Sequence, residues 1–193
     1  LAEGFQRTHD RKKYLLRMLV FALISEIPFN YLYYSSPVFP FHQNVMFTFF
    51  IALLLMLGLE KVRSKGAGLY ILAAVLSLPV GYFLGTLGMV DYYGSGVVTV
   101  LIFYLCRQIP HGWIGEVAGL AFLNCKLLGG MTIPLTLGSW TLEFPEQGLA
   151  LLALIPIWLY NGRQGAHNKA IQYACYAFYP AHMLILALLR MYL

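Results

Sequence analysis

Long apolar stretches recur along this chain and limit its fold more than any other feature. A helix needs about 20 apolar residues to cross the hydrocarbon core of a membrane. Seven stretches approach that requirement, roughly at 14–34, 44–60, 67–85, 94–107, 112–130, 147–161 and 170–192. Only 11% of the 193 residues are charged, against about 25% in a typical soluble domain. The sequence therefore predicts an all-α, polytopic integral membrane helix bundle of about seven transmembrane helices, with residues 1–193 forming a single transmembrane domain.

Eleven of the thirteen basic residues lie on alternate connections between these stretches, and Lys126 and Arg190 are the exceptions. The eleven precede residue 18 and recur at 61–65, 107 and 163–169, whereas 35–43, 86–93 and 131–146 contain none. Because cytoplasmic loops are enriched in Lys and Arg, this distribution predicts a cytoplasmic start of the chain and an external C-terminus. It also accounts for the net charge of +5 without a nucleic-acid partner, and the lipid bilayer is the expected surrounding. The segment 131–146 is expected to be an irregular external connection, and the short fourth and sixth stretches are expected to be tilted or broken helices.

A carboxylate, a proline and an amide interrupt the first apolar stretch, at Glu26, Pro28 and Asn30. A charge near the centre of a bilayer costs about 2.5–3.5 kcal/mol on insertion scales, so such residues face protein or a water-filled cavity. Pro28 is expected to kink the helix beside them. Two interpretations stay open: Glu26 holds the bundle in register through a neighbouring helix, or it orients a histidine or binds a polar substrate.

Two predicted external connections carry further candidates. His42 is either a general base, a role for which histidine is the commonest side chain, or an interfacial residue beside an Asn44 helix cap. Asp91 comes shortly before Gly94 and Gly96. This segment is either a turn that caps the next helix or a place where backbone approaches a ligand, with a weak signal for an anion.

The segment Tyr160-Asn161-Gly162-Arg163 ends the sixth stretch on the predicted cytoplasmic side. Asn-Gly is a strong turn signal, and Arg163 fits the basic bias of that side. The functional alternative is that Arg163 and Lys169 contact the phosphates of a cytosolic cofactor, because guanidinium pairs well with phosphate. Tyr160 and Asn161 would then belong to the same cofactor site.

His182 follows Pro180 in the middle of the last apolar stretch. A proline frees a backbone carbonyl one turn before it, so His182 has a local partner available. The other interpretation places His182 in the same polar cavity as Glu26.

The three cysteines, Cys106, Cys125 and Cys175, are far apart and have no metal-ligand spacing. Such cysteines are most often small apolar residues within helices. No metal is expected.

Several short motifs, in this order along the chain, resemble the TraX family of membrane proteins. They are Ala2-Glu3-Gly4-Phe5, Arg11-Lys12-Lys13-Tyr14, Ser25-Glu26-Ile27-Pro28-Phe29, Asn44-Val45-Met46-Phe47-Thr48, Asp91-Tyr92-Tyr93-Gly94 with Gly96-Val97, Tyr160-Asn161-Gly162-Arg163-Gln164-Gly165, and Phe178-Tyr179-Pro180-Ala181-His182. The resemblance runs over nearly the whole chain, and the ordered set is far more specific than any one motif.

This resemblance implies an integral-membrane acyltransferase. The family takes its name from a conjugation protein that acetylates the N-terminus of pilin in the inner membrane. It is also similar to a wider group of transmembrane acyltransferases that use cytosolic acyl-CoA. By resemblance, we expect acetyl-CoA as the donor, a pilin or other envelope acceptor with an amine or hydroxyl, and a place in the bacterial inner (cytoplasmic) membrane.

The resemblance also implies residue roles. Family members usually begin with a span that carries an Asp-His pair, followed by a second span that leads into the Leu-Ala-Glu-Gly motif. The expectation is therefore that about two helices precede this chain and that the main catalytic base lies there. Supporting roles in the catalytic cavity are expected for His182, Glu26, His42 and Asp91. Arg163 is expected to help hold the coenzyme A phosphates.

Two other functions fit the same residues. Kinked helices with Glu26, Asp91 and His182 would also suit a small ion-coupled transporter, although no internal repeat of the kind common in transporters is evident. A non-catalytic assembly factor of a conjugation or secretion system is the third possibility.

Overall fold

Helices dominate the structure of this chain, which a computed structural model describes for residues 1–137, 140–163, 165 and 168–192. The α-helices are α1 (Ala2–Arg7), α2 (Arg11–Tyr34), α3 (Val45–Arg63), α4 (Ala67–Leu87), α5 (Tyr93–Cys106), α6 (Gly112–Phe122), α7 (Leu154–Leu159) and α8 (Lys169–Tyr192). Two strands, β1 (Thr132–Leu137) and β2 (Trp140–Pro145), precede a 3-10 helix, Glu146–Ala153. The chain forms two units, Leu1–Leu101 with Gln164–Leu193, and Ile102–Arg163.

In the first unit, α2 and α3 run antiparallel and are joined at both ends. Arg11, at the start of α2, donates to Glu60 near the end of α3 at 3.2 Å. Towards the other end, Asn44 donates from the start of α3 to Glu26 in α2. The connections at 35–44 and 88–92 therefore lie at one end of this unit, which we call the His42 end, and the start of α2 lies at the other, which we call the Arg11 end.

Helix α8 lies beside α2 and runs in the same direction. The rings of Phe21 and Tyr176 stack with centroids 5.0 Å apart. Nearer the His42 end, the Arg190 guanidinium donates to the Leu32 carbonyl. Both helices therefore begin at the Arg11 end and run towards the His42 end. Each end of the unit contains residues from both α2 and α8.

Small residues bring α4 and α5 close together. A Cβ atom on Gly85 would lie 2.7 Å from the Tyr93 carbonyl oxygen, and one on Gly81 would lie 2.9 Å from the Leu101 side chain. A Cβ on Gly94 would overlap the backbone of Tyr82. Glycine spacing of this kind lets membrane helices approach backbone to backbone.

Local signals in the sequence set several helix boundaries. The Asn44 side chain accepts from the Met46 amide at 3.0 Å, which confirms the predicted cap of α3. Pro28 and Pro180 lie inside α2 and α8, where neighbouring helices can satisfy freed backbone groups. The 24-residue helix α2 therefore continues past its proline as a single element.

In the second unit, α6 covers eleven residues and is followed by a π-helical turn, Leu123–Leu127. Cβ atoms on Gly115 and Gly119 would meet Cys106 and Ile102, so α6 packs closely against the preceding segment of this unit. Glu116 is buried, and the Trp158 indole donates to its carboxylate at 2.7 Å. The indole therefore supplies a buried partner for this carboxylate.

The segment predicted as an irregular connection contains an antiparallel hairpin. Strands β1 and β2 pair from Thr132 opposite Pro145 to Leu137 opposite Trp140. The β-branched residues Thr132, Ile133 and Thr136 in β1 favour a strand. The hairpin is a small exception to an otherwise helical chain.

Among the described residues, four helices are long and apolar enough to cross a membrane, namely α2, α3, α4 and α8. Their apolar side chains are widely exposed, as at Leu72, Val75 and Ile185, which suits contact with lipid. Helix α5 and the segment Glu146–Leu159 are shorter apolar helices. The prediction of an all-α multi-pass membrane protein is confirmed, whereas seven full spans are not: the fourth, fifth and sixth predicted stretches form short, interrupted helices.

Candidate functional site

The polar residues at the His42 end meet around the carboxylate of Glu26. The Asn44 side-chain amide donates to Glu26 Oε2 at 2.5 Å, and the Asn44 backbone amide lies 3.4 Å from the same oxygen. The Asn44 side chain also donates to the Ala22 carbonyl at 2.9 Å. Asn44 thus caps α3 and joins it to α2, which favours the interpretation that Glu26 holds the helices in register.

Asn30 adds a second amide to the same carboxylate. Its Nδ2 lies 3.4 Å from Glu26 Oε1 and 3.4 Å from the Pro37 carbonyl. Its Oδ1 is buried, and no described residue donates to it. One helical turn separates Asn30 from Glu26, so the pair shares a face of α2 and orients the connection that follows it.

Contacts between two connections bring His42 and Asp91 together. The Gln43 amide donates to the Met89 carbonyl at 2.8 Å, and the Thr48 hydroxyl donates to the Asp91 carbonyl at 2.9 Å. These bonds join residues more than forty positions apart along the chain. The juxtaposition is therefore tertiary, and nothing in either local sequence predicts it.

His42 lies between a phenol and a carboxylate. Its Nδ1 is 2.6 Å from the Tyr34 hydroxyl, and its Nε2 is 3.7 Å from Asp91 Oδ1. The His42 and Phe29 rings meet edge to face with centroids 5.2 Å apart, and the His42 and Tyr93 rings stack with centroids 6.4 Å apart. About a quarter of each side chain is exposed, 24% for His42 and 27% for Asp91, so the group is reachable from the His42 end.

The Asp91 connection has an unusual backbone. Met89, Tyr92 and Tyr93 all adopt positive φ, at 48°, 57° and 47°, which is costly for residues with side chains. Burial raises the pKa of the Asp91 carboxyl, and the neighbouring His42 opposes that rise. Strain and a perturbed carboxylate next to a histidine are features that functional sites share.

A tyrosine of α8 completes this group. The Tyr179 hydroxyl is buried and lies near the Val45 backbone amide and the carboxylates of Glu26 and Asp91. We call these seven residues the polar cluster, which consists of Glu26, Asn30, Tyr34, His42, Asn44, Asp91 and Tyr179.

His182 lies next to this cluster without bonding to its carboxylates. Its Nδ1 is 2.9 Å from the Phe178 carbonyl in its own helix, and its ring is 5.3 Å from that of Tyr179. The carbonyl that Pro180 frees belongs to a residue two positions earlier than Phe178, so the local partner differs from the one predicted. A catalytic role of His182 stays a prediction.

The residues predicted to bind a cofactor do not form one described group. In the second unit, the Arg163 amide donates to Asn161 Oδ1 at 3.0 Å, and the Tyr160 hydroxyl donates to the Arg163 carbonyl at 2.9 Å. The predicted Asn-Gly turn is thereby confirmed. Lys169 begins α8 in the first unit. Their role towards coenzyme A stays a prediction.

The glycines after Asp91 approach protein rather than open space. A Cβ on Gly96 would lie 2.9 Å from the Asp91 carbonyl oxygen and 2.9 Å from the Thr48 methyl group. Gly94 lies against the Tyr82 backbone. These two glycines therefore fix the Asp91 connection against α3 and α4, and the structure favours the interpretation of this segment as a packed turn.

Sequence reasoning missed two members of the polar cluster as site residues. Tyr34 and Tyr179 belong to aromatic-rich stretches, where an interfacial anchor is the ordinary interpretation. Tyr179 had one usable signal, its place beside the Pro180 kink. Tyr34 had none, because its hydroxyl becomes chemically relevant only where the connection 35–44 folds back to bring His42 within reach.

This arrangement can move protons. With the Nε2 proton directed at Asp91, His42 Nδ1 carries the lone pair that accepts from Tyr34, a tautomer assigned from its neighbours. The histidine is oriented on one side and linked to a hydroxyl on the other, as general acid–base chemistry requires. The fold and this cluster define a multi-pass helical membrane protein with a polar, titratable group at one end.

Comparison with known proteins identifies the family. The family described as TraX protein matches residues 1–190, and the chain belongs to that family. It is 28% identical over 205 residues to the probable fimbrial assembly protein FimC, serogroup H1, of Dichelobacter nodosus, covering 100% of this chain and 78% of that protein. No solved structure matches the chain.

Proposed function

We propose that this protein is a membrane-embedded acyltransferase that moves an acetyl group from acetyl-CoA to an amine or hydroxyl of an envelope protein, with a pilin-like subunit as the leading acceptor. The observation that supports the chemistry is His42 held between Tyr34 at 2.6 Å and Asp91 at 3.7 Å. The name of the Dichelobacter nodosus relative supports the acceptor class, since it describes a fimbrial assembly protein.

In the proposed reaction, the acceptor loses its proton through Tyr34 to His42 Nδ1 while its nitrogen or oxygen attacks the acetyl carbonyl carbon. The new bond forms as the carbon–sulfur bond of the thioester breaks, and the proton on His42 then neutralises the departing thiolate. Asp91 stabilises the transient imidazolium. Glu26 holds the Asn44 and Asn30 amides that fix this geometry.

The experiment is acetyl transfer by the purified full-length protein in nanodiscs, using radiolabelled acetyl-CoA. The acceptor panel pairs a peptide with a free α-amino group with the same peptide blocked at its N-terminus. His42→Gln is expected to lower the rate by about 10²–10⁴-fold, the usual contribution of a general acid–base group.

His182→Gln is the matched control, because His182 bonds to its own helix rather than to the cluster. We expect it to lose much less activity than His42→Gln. Equal rates for His42→Gln and the unaltered protein would move the base to another residue, such as the upstream histidine implied by family resemblance. Absence of any acetylated product from the unaltered protein on all acceptors would contradict acyl transfer itself.

A non-catalytic role in fimbrial assembly is the second candidate, favoured by the name of the same relative. A fimbrial assembly assay distinguishes this role from acyl transfer. Under this alternative, a strain carrying His42→Gln would still assemble fimbriae at the normal level, and the protein would co-purify with an assembly partner.

A further inference from the structure

A cavity of about 500 Å³ opens at the Arg11 end of the first unit. It is enclosed by α1, the first turns of α2 and the first turns of α8. The residues that line this cationic cavity are Gly4, Arg7, Thr8, His9, Tyr14, Arg17, Gln172, Cys175 and Tyr176. Its volume lies within the range of about 300–1,000 Å³ that small-molecule sites occupy.

Charge in this cavity is of one sign. Arg7 and Arg17 supply two guanidinium groups, and none of the described residues that line the cavity is a carboxylate. Glu3, one turn before Arg7, holds the Arg7 side chain through Nε at 2.5 Å. That contact positions Arg7 from outside the lining and offsets its charge, so the excess positive charge beside the cavity is that of Arg17.

Arg17 has unused hydrogen-bonding capacity. Its guanidinium carbon lies 6.0 Å from the centre of the Tyr176 ring, with which it interacts. Its Nε is buried, and no described residue accepts the proton of that nitrogen. A buried donor without an acceptor costs free energy, so a ligand oxygen at this position would remove the cost.

The cavity walls suit a ligand that is anionic at one end and flat or apolar elsewhere. Tyr14 and Tyr176 supply aromatic surface, while Thr8 and Gln172 supply neutral polar groups. Planar guanidinium forks pair bidentately with phosphate oxygens, as they do with carboxylates.

We propose that the cationic cavity binds the phosphate group of an anionic ligand, through Arg7 and Arg17, at the end of the bundle opposite the polar cluster. The shared chemistry is a phosphate ester, which a nucleotide-bearing ligand or an anionic phospholipid headgroup can present. This site differs from the predicted contacts at Arg163 and Lys169. It is independent of acyl transfer, because binding alone tests it.

Cys175 provides a direct readout, since its exposed thiol lines the cavity. Cys106→Ser and Cys125→Ser leave Cys175 as the remaining one of the three cysteines in this sequence. The full-length protein with these changes is labelled with N-ethylmaleimide in detergent, with and without 3′,5′-ADP, coenzyme A or inorganic phosphate. A second arm compares nanodiscs of phosphatidylcholine alone with nanodiscs that contain phosphatidylglycerol.

The expected result is slower Cys175 labelling in at least one arm. Arg17→Gln is expected to raise the concentration for half-protection by about 10- to 100-fold, as loss of a charge-assisted hydrogen bond does. Lys12→Gln is the control, because it removes an equal charge from the same end at an exposed residue outside the cavity lining. It is expected to change the concentration for half-protection less than about threefold, since exposed charges are screened.

Protection by the soluble compounds assigns a nucleotide-type ligand, and protection only in phosphatidylglycerol nanodiscs assigns a lipid headgroup. A Cys175→Ser, Lys12→Cys protein reports any general effect of the compounds on labelling. Where Arg17→Gln does not fold, Arg17→Lys is used and is expected to retain part of the protection.

The proposal is overturned by unchanged Cys175 labelling at millimolar phosphate compounds and in both lipid compositions, or by equal protection in Arg17→Gln. Protection of Cys175 without acetyl transfer would support phosphate binding in the cationic cavity and contradict only the proposed acyltransferase activity. Acetyl transfer without protection would support the acyltransferase activity and contradict only phosphate binding in the cavity.

Discussion

The two ends of the first unit are built from the same helices and differ in how their polar groups are satisfied. At the His42 end, Glu26 receives amides from Asn30 and Asn44, and His42 lies between Tyr34 and Asp91. At the Arg11 end, Arg17 keeps a buried nitrogen for which no described residue is an acceptor, beside an open cavity. We call the His42 end the internally bonded end because its Glu26 carboxylate has partners within the protein, although Asn30 Oδ1 there lacks a described donor; at the Arg11 end, the Arg17 Nε lies beside a cavity that can hold a ligand.

Position along α2 and α8 produces this contrast. Arg17 and Glu26 are nine residues apart on α2, about 14 Å along the helix axis. Tyr176 and Tyr179 lie on α8 one turn apart, and the stacked pair of Phe21 and Tyr176 lies between the two polar groups. Arg17 therefore lies near one end of the helix pair and Glu26 near the other, so a single helix pair can serve two different chemical tasks.

The largest expected effect is at the internally bonded end. Asn44→Ala removes the α3 cap and the side-chain bonds to the Glu26 carboxylate and the Ala22 carbonyl, which should lower the free energy of unfolding by about 3 kcal/mol or more. Denaturant unfolding in detergent measures it. Asn124→Ala is the control, because this buried amide bonds only one turn back to Leu120 and should cost about 1 kcal/mol.

A double-mutant cycle sharpens that result. Once Asn44 is absent, Glu26→Ala should add little further loss, since the two residues act through one interaction. Fully additive losses would mean that Glu26 and Asn44 contribute separately, and the internally bonded description of this end would fail.

A smaller difference is expected between glycine-to-alanine substitutions at the tightly packed His42 end and at the more open Arg11 end. A Cβ on Gly94 would overlap the Tyr82 backbone, which cannot move easily, so Gly94→Ala should lower the free energy of unfolding by about 2–3 kcal/mol. A Cβ on Gly4 at the cavity would meet only the Tyr14 hydroxyl, at 3.1 Å, which a side-chain shift can relieve. Thermal unfolding of both variants in detergent measures the difference, and equal losses would contradict the contrast.

The smallest expected effect is a pH dependence of opposite sign at the two ends. Burial raises the pKa of Asp91, so its contribution to stability is complete below its ordinary value of about 3.9 and is lost as pH rises through the raised value. Asp91→Asn should therefore gain stability relative to the unaltered protein as pH rises from about 4, by less than about 1 kcal/mol.

Asp10 at the Arg11 end provides the control with the reverse sign. The Lys13 backbone amide and side chain lower the pKa of this exposed carboxyl. Its contribution is therefore present above the ordinary aspartate value and is lost as pH falls through the lowered one. Unfolding measured from pH 3 to pH 7 for Asp91→Asn and Asp10→Asn should give differences of opposite slope, and slopes of the same sign would contradict the assignment of burial at Asp91.

Much of the helical framework was predictable from local signals. Apolar length indicated the four long helices, and Asn44 indicated the start of α3. The three middle stretches of the predicted set were less successful, because apolar composition alone does not distinguish a spanning helix from a short helix with a π-helical or 3-10 continuation. The hairpin was missed for a related reason, since a loop between apolar runs was the simpler interpretation of 131–146.

The site was predictable only in its parts. Glu26, His42 and Asp91 were each singled out by residue type and position, and the structure places them in one cluster. Their partners were less visible, because Tyr34 and Tyr179 resemble membrane-interface aromatics until a second segment lies against them. In the sequence, Arg7 and Arg17 indicate only the orientation of the chain in the membrane.

The amino-acid sequence predicts a helical membrane protein with most of its basic residues on alternate connections, because apolar length and charge position act locally. The contact between His42 and Asp91 and the cavity shared by Arg7 and Arg17 become visible only in the folded structure. The physical reason is that both groupings depend on contacts between segments distant in sequence, such as the bond from Gln43 to Met89, and on the parallel packing of α8 against α2.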